Sequence, residues 1–167
     1  NLATECDDGS DEDNCSVIMR HPGYRSYLPP LDPKGSTLKL TPTVILTRVA
    51  SINEKDMTVS LEFIVILKWR DDRFSLKHLT QKKTFLSKED RSIIWTPDYQ
   101  MSDLEGGHIH LVETEIYINT SYSVTQPNVN DLSMDKIYPG SSNDIVLQEK
   151  YTGKFTCLLE LHAYPFD

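Results

Sequence analysis

The sequence predicts an all-β chain, an antiparallel immunoglobulin-like β-sandwich, on three observations. Short runs of β-branched and aromatic residues are separated by polar tips and by Pro or Gly. One of these runs, residues 57–69, places an apolar side chain at every second position. Almost no segment has the 3.6-residue periodicity of an amphipathic helix. Together these features are typical of two antiparallel sheets packed face to face.

The composition narrows the class of protein. A chain of 167 residues can bury one core, and no apolar run approaches the roughly 20 residues of a membrane-spanning helix. We therefore expect a soluble piece. The net charge is −8, and six acidic residues lie in residues 1–15 without a base, so the remainder is nearly neutral. Without a basic stripe, we expect no nucleic-acid partner.

The strand over residues 57–69 carries the most informative exception to its own pattern. Every odd position is apolar, whereas the even positions are mostly polar. Ile64 and Ile66 break that rule and place two branched apolar side chains next to each other on the outward face. Such a pair indicates a surface that meets a partner. The alternative is that a local loop covers it.

The other elements follow from the same pattern. Residues 53–56 form a polar tip, which predicts a hairpin, and Pro42 indicates a bulge or an edge. Residues 86–90 are compatible with one helical turn, and residues 120–143 are predicted to be a long loop. Further strands are predicted over residues 38–53, 93–98, 108–119, 144–152 and 153–161.

Motifs for catalysis are absent from the sequence. It contains no Gly-x-Ser-x-Gly elbow, no phosphate-binding loop and no His-Glu-x-x-His, so we expect no enzyme. His108 and His110 would share one strand face, where they could bind zinc if a third ligand joined them. A polar outward face is the alternative. Binding is the expected function of such a sandwich, and it requires no cofactor.

The first fifteen residues form a separate acidic segment. Cys6 and Cys15 bracket Cys-Asp-Asp-Gly-Ser-Asp-Glu-x-x-Cys, which resembles the last third of a low-density-lipoprotein receptor class A repeat. The resemblance implies that Glu5, Asp11 and Glu12 would bind calcium in an intact repeat. A solvated acidic tail is the alternative. Asn14 and Asn119 lie in glycosylation sequons and, with this motif, favour an extracellular setting. Residues 16–37, rich in Pro and Gly, are interpreted as a linker or an extended strap.

Four motifs follow one another along the chain, Trp69-x-Asp71-x-Arg73-Phe74, Trp95-x-Pro97-Asp98, residues 107–110 and residues 157–167. Their order and spacing resemble those of pentameric ligand-gated ion channels, the Cys-loop receptors, and residues 38–167 resemble part of the extracellular ligand-binding domain of that family. The resemblance implies a sandwich cut at the Cys-loop, with Cys157 as the first cysteine of a disulfide-closed loop. We expect this piece to fold poorly alone, because an unpaired edge would be exposed.

The resemblance also implies partners and a site. Five subunits would form a ring at the cell membrane, with a small-molecule agonist bound on the extracellular side at each subunit interface. The expected contact with the protein's own membrane domain involves Tyr164, Pro165, Phe166 and Asp167. The expected ligand-binding positions are Ile64, Ile66, Ser102, Val146, Gln148 and Lys150.

These positions depart from the family pattern in their chemistry. Many relatives carry an aromatic ring or an arginine where this chain has Ile64 and Ile66, and Ser102 also lacks a ring. The usual pocket for an amine or amino-acid transmitter is therefore not expected. Two other functions remain open at this point. One is a secreted pentameric ligand-binding protein without a pore, and the other is a calcium-dependent extracellular adhesion module.

Overall fold

A computed structural model describes residues 16–32, 35–77, 79, 82–101, 108–120 and 137–157. In these ranges nearly all of the regular structure is β. The strands are β1 (Ile18–Arg20), β2 (Thr43–Asn53), β3 (Thr58–Trp69), β4 (Phe74–Leu76), β5 (Lys83–Phe85), β6 (His108–Asn119), β7 (Tyr138–Pro139) and β8 (Asp144–Thr156). One short helix, α1 (Lys88–Ile93), and a 3₁₀ turn (Gly140–Ser142) complete the described elements.

The strands form two antiparallel sheets, which confirms the predicted all-β class. Three strands pair in the order β1-β4-β7, and five strands pair in the order β2-β3-β8-β6-β5. The chain divides into two compact units, and β3, β6 and β8 contribute residues to both. The first unit draws on Asn1–Thr41, Lys68–Pro97 and Ile116–Leu147, and the second on Pro42–Leu67, Asp98–Glu115 and Gln148–Asp167.

The first unit is built around a buried carboxylate, that of Asp71. Asp71 is only 1% exposed. Its Oδ1 accepts hydrogen bonds from the backbone N–H of Arg73 at 3.1 Å and from Nε of Arg73 at 2.8 Å. Its Oδ2 accepts from Nη2 of Arg73 at 2.7 Å and from the hydroxyl of Tyr24 at 3.4 Å. A buried charge is stable only when it is paired and hydrogen-bonded in this way.

Tyr24 connects this carboxylate to the second tryptophan motif. Its hydroxyl oxygen accepts a hydrogen bond of 2.8 Å from the backbone N–H of Trp95. The Arg73 guanidinium lies 4.8 Å from the centre of the Tyr24 ring, a cation–π contact. Trp69 and Trp95 meet edge to face at 5.8 Å. Burial is the main cause that raises the pKa of Tyr24 above its ordinary value, so this phenol stays a neutral donor.

Gly140 lies very close to the backbone of Asp71 and Phe74 in the first unit. A Cβ atom on Gly140 would lie 2.1 Å from the carbonyl oxygen of Asp71 and 2.7 Å from that of Phe74. Both are backbone atoms, so no side-chain rotation could make room. Glycine is therefore required here for the close approach of two backbone segments.

The predicted linker contains structure of its own. Ser16 Oγ donates to Oδ1 of Asp90 at 2.6 Å, and the backbone N–H of Val17 donates to Oδ2 at 3.2 Å. Asp90 lies in α1, whose N-cap Ser87 accepts from the backbone N–H of Asp90 at 3.0 Å. The segment leading into β1 is thereby attached to the helix.

The predicted strand over residues 93–98 was wrong. Ile93 ends α1, and residues 95–101 are irregular. The apolar run of Ile93, Ile94 and Trp95 looked like a strand, but capping by Ser87 extends the predicted turn into a helix through Ile93. The two strands predicted over residues 144–161 are described as one, β8, which ends at Thr156.

The second unit contains the predicted hairpin. β2 and β3 pair antiparallel around residues 54–57, with register irregularities between Leu46 and Arg48 and between Val49 and Ser51. The Phe63 ring stacks on Tyr151 at 5.6 Å and lies 6.1 Å from Phe155. These rings, with the buried Val65 and Leu67, form the apolar side of β3.

Several expectations concern residues outside the described ranges, namely Cys6, Cys15, Asn14 and the carboxylates of Glu5, Asp11 and Glu12. Cys157 is half-buried and forms no disulfide within the described part of the chain. Among the residues described, no group of three or more potential ligands could hold a metal ion, and no helix is long and apolar enough to cross a membrane.

Replacing the buried carboxylate tests the first unit. We expect Asp71→Ala to lower the free energy of unfolding by about 3–5 kcal/mol, because the Arg73 guanidinium loses its buried partner. The melting temperature of the purified full-length protein measures this loss. Glu62→Ala is the matched control, since Glu62 pairs with the exposed Arg48 and should cost at most about 1 kcal/mol. Equal losses in the two variants would contradict the assigned role of Asp71.

A second prediction concerns the contact at Gly140. Gly140→Ala should sharply reduce both melting temperature and folded yield, because backbone oxygens occupy the space that its Cβ needs. Gly153→Ala is the control, since the nearest atoms there belong to the Phe155 ring, a side chain that can rotate. Size-exclusion chromatography of the full-length protein after heating compares the two. A Gly140→Ala variant as stable as Gly153→Ala would show that this approach is looser than described.

Candidate functional site

The outward face of the β2–β3 hairpin carries an apolar patch. Ile64 and Ile66 are half-buried, whereas their neighbours on β3 at odd positions are buried. Ile64 pairs with Ile45 of β2, which is 44% exposed, and Ile66 pairs with Thr43. Directly opposed residues of antiparallel strands point to the same side. Ile45, Ile64 and Ile66 therefore form one surface, here named the isoleucine patch.

A polar contact borders the isoleucine patch along the hairpin. Arg48 Nη1 lies 3.3 Å from Oε1 of Glu62. Glu62 precedes Ile64 by two positions on β3 and therefore lies on the same face. The hydroxyl of Thr47 donates to the carbonyl oxygen of Glu62 at 2.9 Å. The patch thus has an apolar centre with a charged side chain of each sign at one end. Ile45 was not among the predicted site residues.

The predicted residues of β8 divide into two groups. Gln148 and Lys150 are half-buried, and Nε2 of Gln148 donates to Oε2 of Glu115 at 3.1 Å. Tyr151 and Phe155 contact Phe63, so the odd-numbered residues of β8 share a face with the odd-numbered residues of β3. The even-numbered residues of β8 therefore point to the opposite face, the one that carries Ile64. Gln148 and Lys150 therefore share a sheet face with the isoleucine patch.

Val146 differs from these two residues. Its side chain is only 1% exposed and belongs to the core of the first unit. A side chain in this position is not available to a ligand on the surface. We therefore leave Val146 out of the candidate site, although family position had suggested it.

The opposite face of β8 presents a polar cluster formed by Tyr99, Thr114, Glu149 and Tyr151, here named the Glu149 cluster. Oε2 of Glu149 accepts from the hydroxyl of Tyr151 at 2.7 Å and from the hydroxyl of Tyr99. The two phenol oxygens are 3.1 Å apart. The Thr114 hydroxyl donates to Oε1 of Glu149 at 3.4 Å. One carboxylate thus accepts hydrogen bonds from three hydroxyl groups.

The electrostatics of the cluster keep both phenols protonated. Desolvation is the first cause that raises the pKa of Tyr99 far above its ordinary value, and the hydrogen bond to Glu149 adds to it. Desolvation also raises the pKa of Tyr151. The sequence pattern did not single out this cluster. Its one available signal was the position of Tyr99 directly after the Trp95-x-Pro97-Asp98 motif.

A cavity of about 300 Å³ lies in the first unit, and none of the predicted ligand-binding positions is among its lining residues. Arg70 and Asp144 form an ion pair of 2.6 Å in its wall. The indole N–H of Trp69 is buried without a hydrogen-bond partner among the described residues. The lining residues are Leu31, Asp32, Leu38, Lys39, Lys68, Trp69, Arg70 and Asp144.

The remaining predicted positions are placed as follows. Ser102 and the expected coupling residues Tyr164, Pro165, Phe166 and Asp167 lie outside the described residues. Asn119 ends β6, where it pairs with Lys83 of β5. His110 is exposed on β6, and no metal-binding group forms around it among the residues that the structure describes.

Comparison with known proteins identifies the class of receptor to which these sheets belong. Residues 12–167 match the family model of the neurotransmitter-gated ion-channel ligand binding domain. The chain belongs to this family. The match confirms the predicted resemblance to the ligand-binding domain of these channels. It also agrees with the expectation that the chain is not an enzyme, since the family consists of receptor ligand-binding domains.

A curated relative gives a second comparison. The chain is 26% identical over 145 residues to the gamma-aminobutyric acid receptor subunit beta of Lymnaea stagnalis. The aligned region covers 80% of this chain and 25% of that protein. The chain therefore spans about a quarter of the length of the curated relative that it matches.

The raised pKa of Tyr99 makes a prediction about alkaline stability. An unfolded tyrosine loses its proton near pH 10, whereas folded Tyr99 keeps it, so stability should fall as the pH rises above about 10. Tyr99→Phe removes this titration and should flatten the fall. Melting temperatures of the full-length protein at pH 8 and pH 11 measure the effect. Tyr27→Phe, which alters an exposed phenol, should fall as steeply as the unchanged protein, and equal slopes for all three would contradict the assignment.

Proposed function

We propose that this domain binds a small-molecule agonist at the interfaces between subunits of a channel and thereby opens a membrane pore. The observation that supports the proposal is an apolar, half-exposed isoleucine patch within a domain of this receptor family. Ligand binding would act by shifting the equilibrium between closed and open states of the assembly. The family match supports the class of receptor, and the isoleucine patch is the proposed binding surface.

The proposed site lies on the side of β3 that carries the isoleucine patch. Ile64 and Ile66 supply apolar contacts, Gln148 supplies an amide, and Lys150 supplies a cation. A neighbouring subunit would contribute the segment around Ser102. Isoleucine offers neither a cation–π surface nor a guanidinium, so the ammonium of a transmitter would lack its usual partner on this side. The surface favours a ligand with an apolar body and a carboxylate or another acceptor within reach of Lys150.

The proposal includes further parts of the parent protein. Five subunits would form a ring at the cell membrane, with this domain on the extracellular side. Tyr164, Pro165, Phe166 and Asp167 would contact the protein's own membrane domain and transmit the binding signal. Cys157 would close a disulfide loop with a later cysteine. Binding requires no cofactor, and calcium would bind only at Glu5, Asp11 and Glu12 in an intact class A repeat.

Electrical recording from the full-length protein tests the proposed function. The protein is expressed in oocytes and exposed to a panel of apolar carboxylic acids together with gamma-aminobutyric acid, glycine, glutamate, acetylcholine, biogenic amines and protons, with surface expression verified by labelling. We expect a concentration-dependent current with at least one of these compounds. No current across the whole panel, despite protein at the surface, would overturn the proposal.

Substitution within the isoleucine patch tests the location of the site. Ile64→Asp should raise the half-maximal agonist concentration at least about tenfold, equivalent to ~1.4 kcal/mol, because a carboxylate replaces an apolar contact. Ile52→Asp is the matched control, since Ile52 is exposed on the same hairpin outside the patch. If the two variants respond alike at equal surface expression, the site does not involve Ile64.

A further inference from the structure

We propose that Glu149 is a positioning residue that holds residues 98–101 in place through Tyr99. Those residues lead towards Ser102, while Gln148 and Lys150 flank Glu149 on β8. Glu149 would thus fix two segments of the ligand-binding domain relative to each other within the second unit. The inference rests on the proposed function for its purpose, but its geometry stands on the described residues alone.

Residues 98–101 need a tether from outside their own backbone. They are irregular and form no backbone hydrogen bond with other residues in the described ranges. Pro97, which precedes them, has no N–H to donate. The hydroxyl of Tyr99 instead donates a hydrogen bond to Glu149 and lies 3.1 Å from the hydroxyl of Tyr151. Ordering a segment costs conformational entropy, and the bond to Glu149 offsets part of that cost.

The carboxylate of Glu149 is suited to this task. It has acceptors only, and the three groups around it, from Tyr99, Tyr151 and Thr114, can all donate. Hydrogen bonds to an ionised carboxylate are stronger than bonds between neutral groups. A glutamine at this position would turn an N–H₂ donor towards one of the hydroxyl groups. The arrangement therefore depends on the charge and not only on the shape of the side chain.

The position of Glu149 on its strand links the cluster to the candidate site. Successive residues of a strand point to opposite faces, so Glu149 and Tyr151 lie opposite Gln148 and Lys150. Stacking of Tyr151 on Phe63 fixes the other end of the cluster to β3. A displacement of residues 98–101 would therefore be resisted by the strand that carries Gln148 and Lys150.

Spin labelling of the full-length protein tests the proposal without a ligand or a current. A nitroxide is attached to Gln100→Cys, an exposed position next to Tyr99. We expect an immobilised spectrum that becomes mobile with either Tyr99→Phe or Glu149→Gln, and no further change in the double variant, because both substitutions remove the same tether. Glu149→Asp, which keeps the charge, should restore part of the immobilisation.

Matched controls separate positioning from general destabilisation. Tyr27→Phe and Glu113→Gln alter exposed side chains of the same types and should leave the Gln100→Cys spectrum unchanged. A label on Ile52→Cys should keep its spectrum in the Tyr99→Phe and Glu149→Gln variants. An unchanged Gln100→Cys spectrum in those variants, additive effects in the double variant or equal mobilisation of the Ile52→Cys label would overturn the proposal. A receptor without current but with the expected spectra would contradict only the proposed function.

Discussion

Buried carboxylates impose the main constraint on this fold. Asp71 is almost completely enclosed, and the guanidinium of Arg73 and the hydroxyl of Tyr24 meet it in a fixed arrangement. Because Tyr24 also binds the backbone of Trp95, a single charge organises both tryptophan motifs of the first unit. The motif Trp69-x-Asp71-x-Arg73-Phe74 thus has a physical basis in the hydrogen bonds that Asp71 accepts from Arg73 and Tyr24. The ion pair between Asp71 and Arg73 stabilises the turn between β3 and β4. The motif therefore has a structural role and is not part of the proposed ligand site.

The second unit uses a carboxylate in a different way. Among the described residues no cation pairs with Glu149, and its hydrogen-bond partners are neutral hydroxyl donors. Such an arrangement depends both on the charge of the carboxylate and on the geometry of its hydrogen bonds. The opposite side of β8 and the isoleucine patch stay half-exposed, as a binding surface requires. Structural polar groups and candidate ligand-binding groups therefore occupy opposite faces of the same strands.

Alternation along the sequence predicted β3 and isolated Ile64 and Ile66, because burial on one side of a sheet imposes a period of two residues. It could not identify Ile45, whose position opposite Ile64 depends on register irregularities in the hairpin. The strand predicted over residues 93–98 failed because capping by Ser87 favoured a helix through Ile93. Val146 is buried although Gln148, two residues later, is not, and only three-dimensional packing decides this difference. The Glu149 cluster joins residues about fifty positions apart and has no local pattern.

A structure of the assembled full-length protein would test the central claim most directly, since the claim concerns where the isoleucine patch lies. The account predicts five subunits, with Ile64 and Ile66 of each subunit facing a neighbouring subunit across a gap that a small molecule can occupy. If Ile64 and Ile66 were instead covered by a loop of their own subunit, the patch would belong to the core. The account of the ligand site would then be contradicted, although the chain would keep its place in the receptor family.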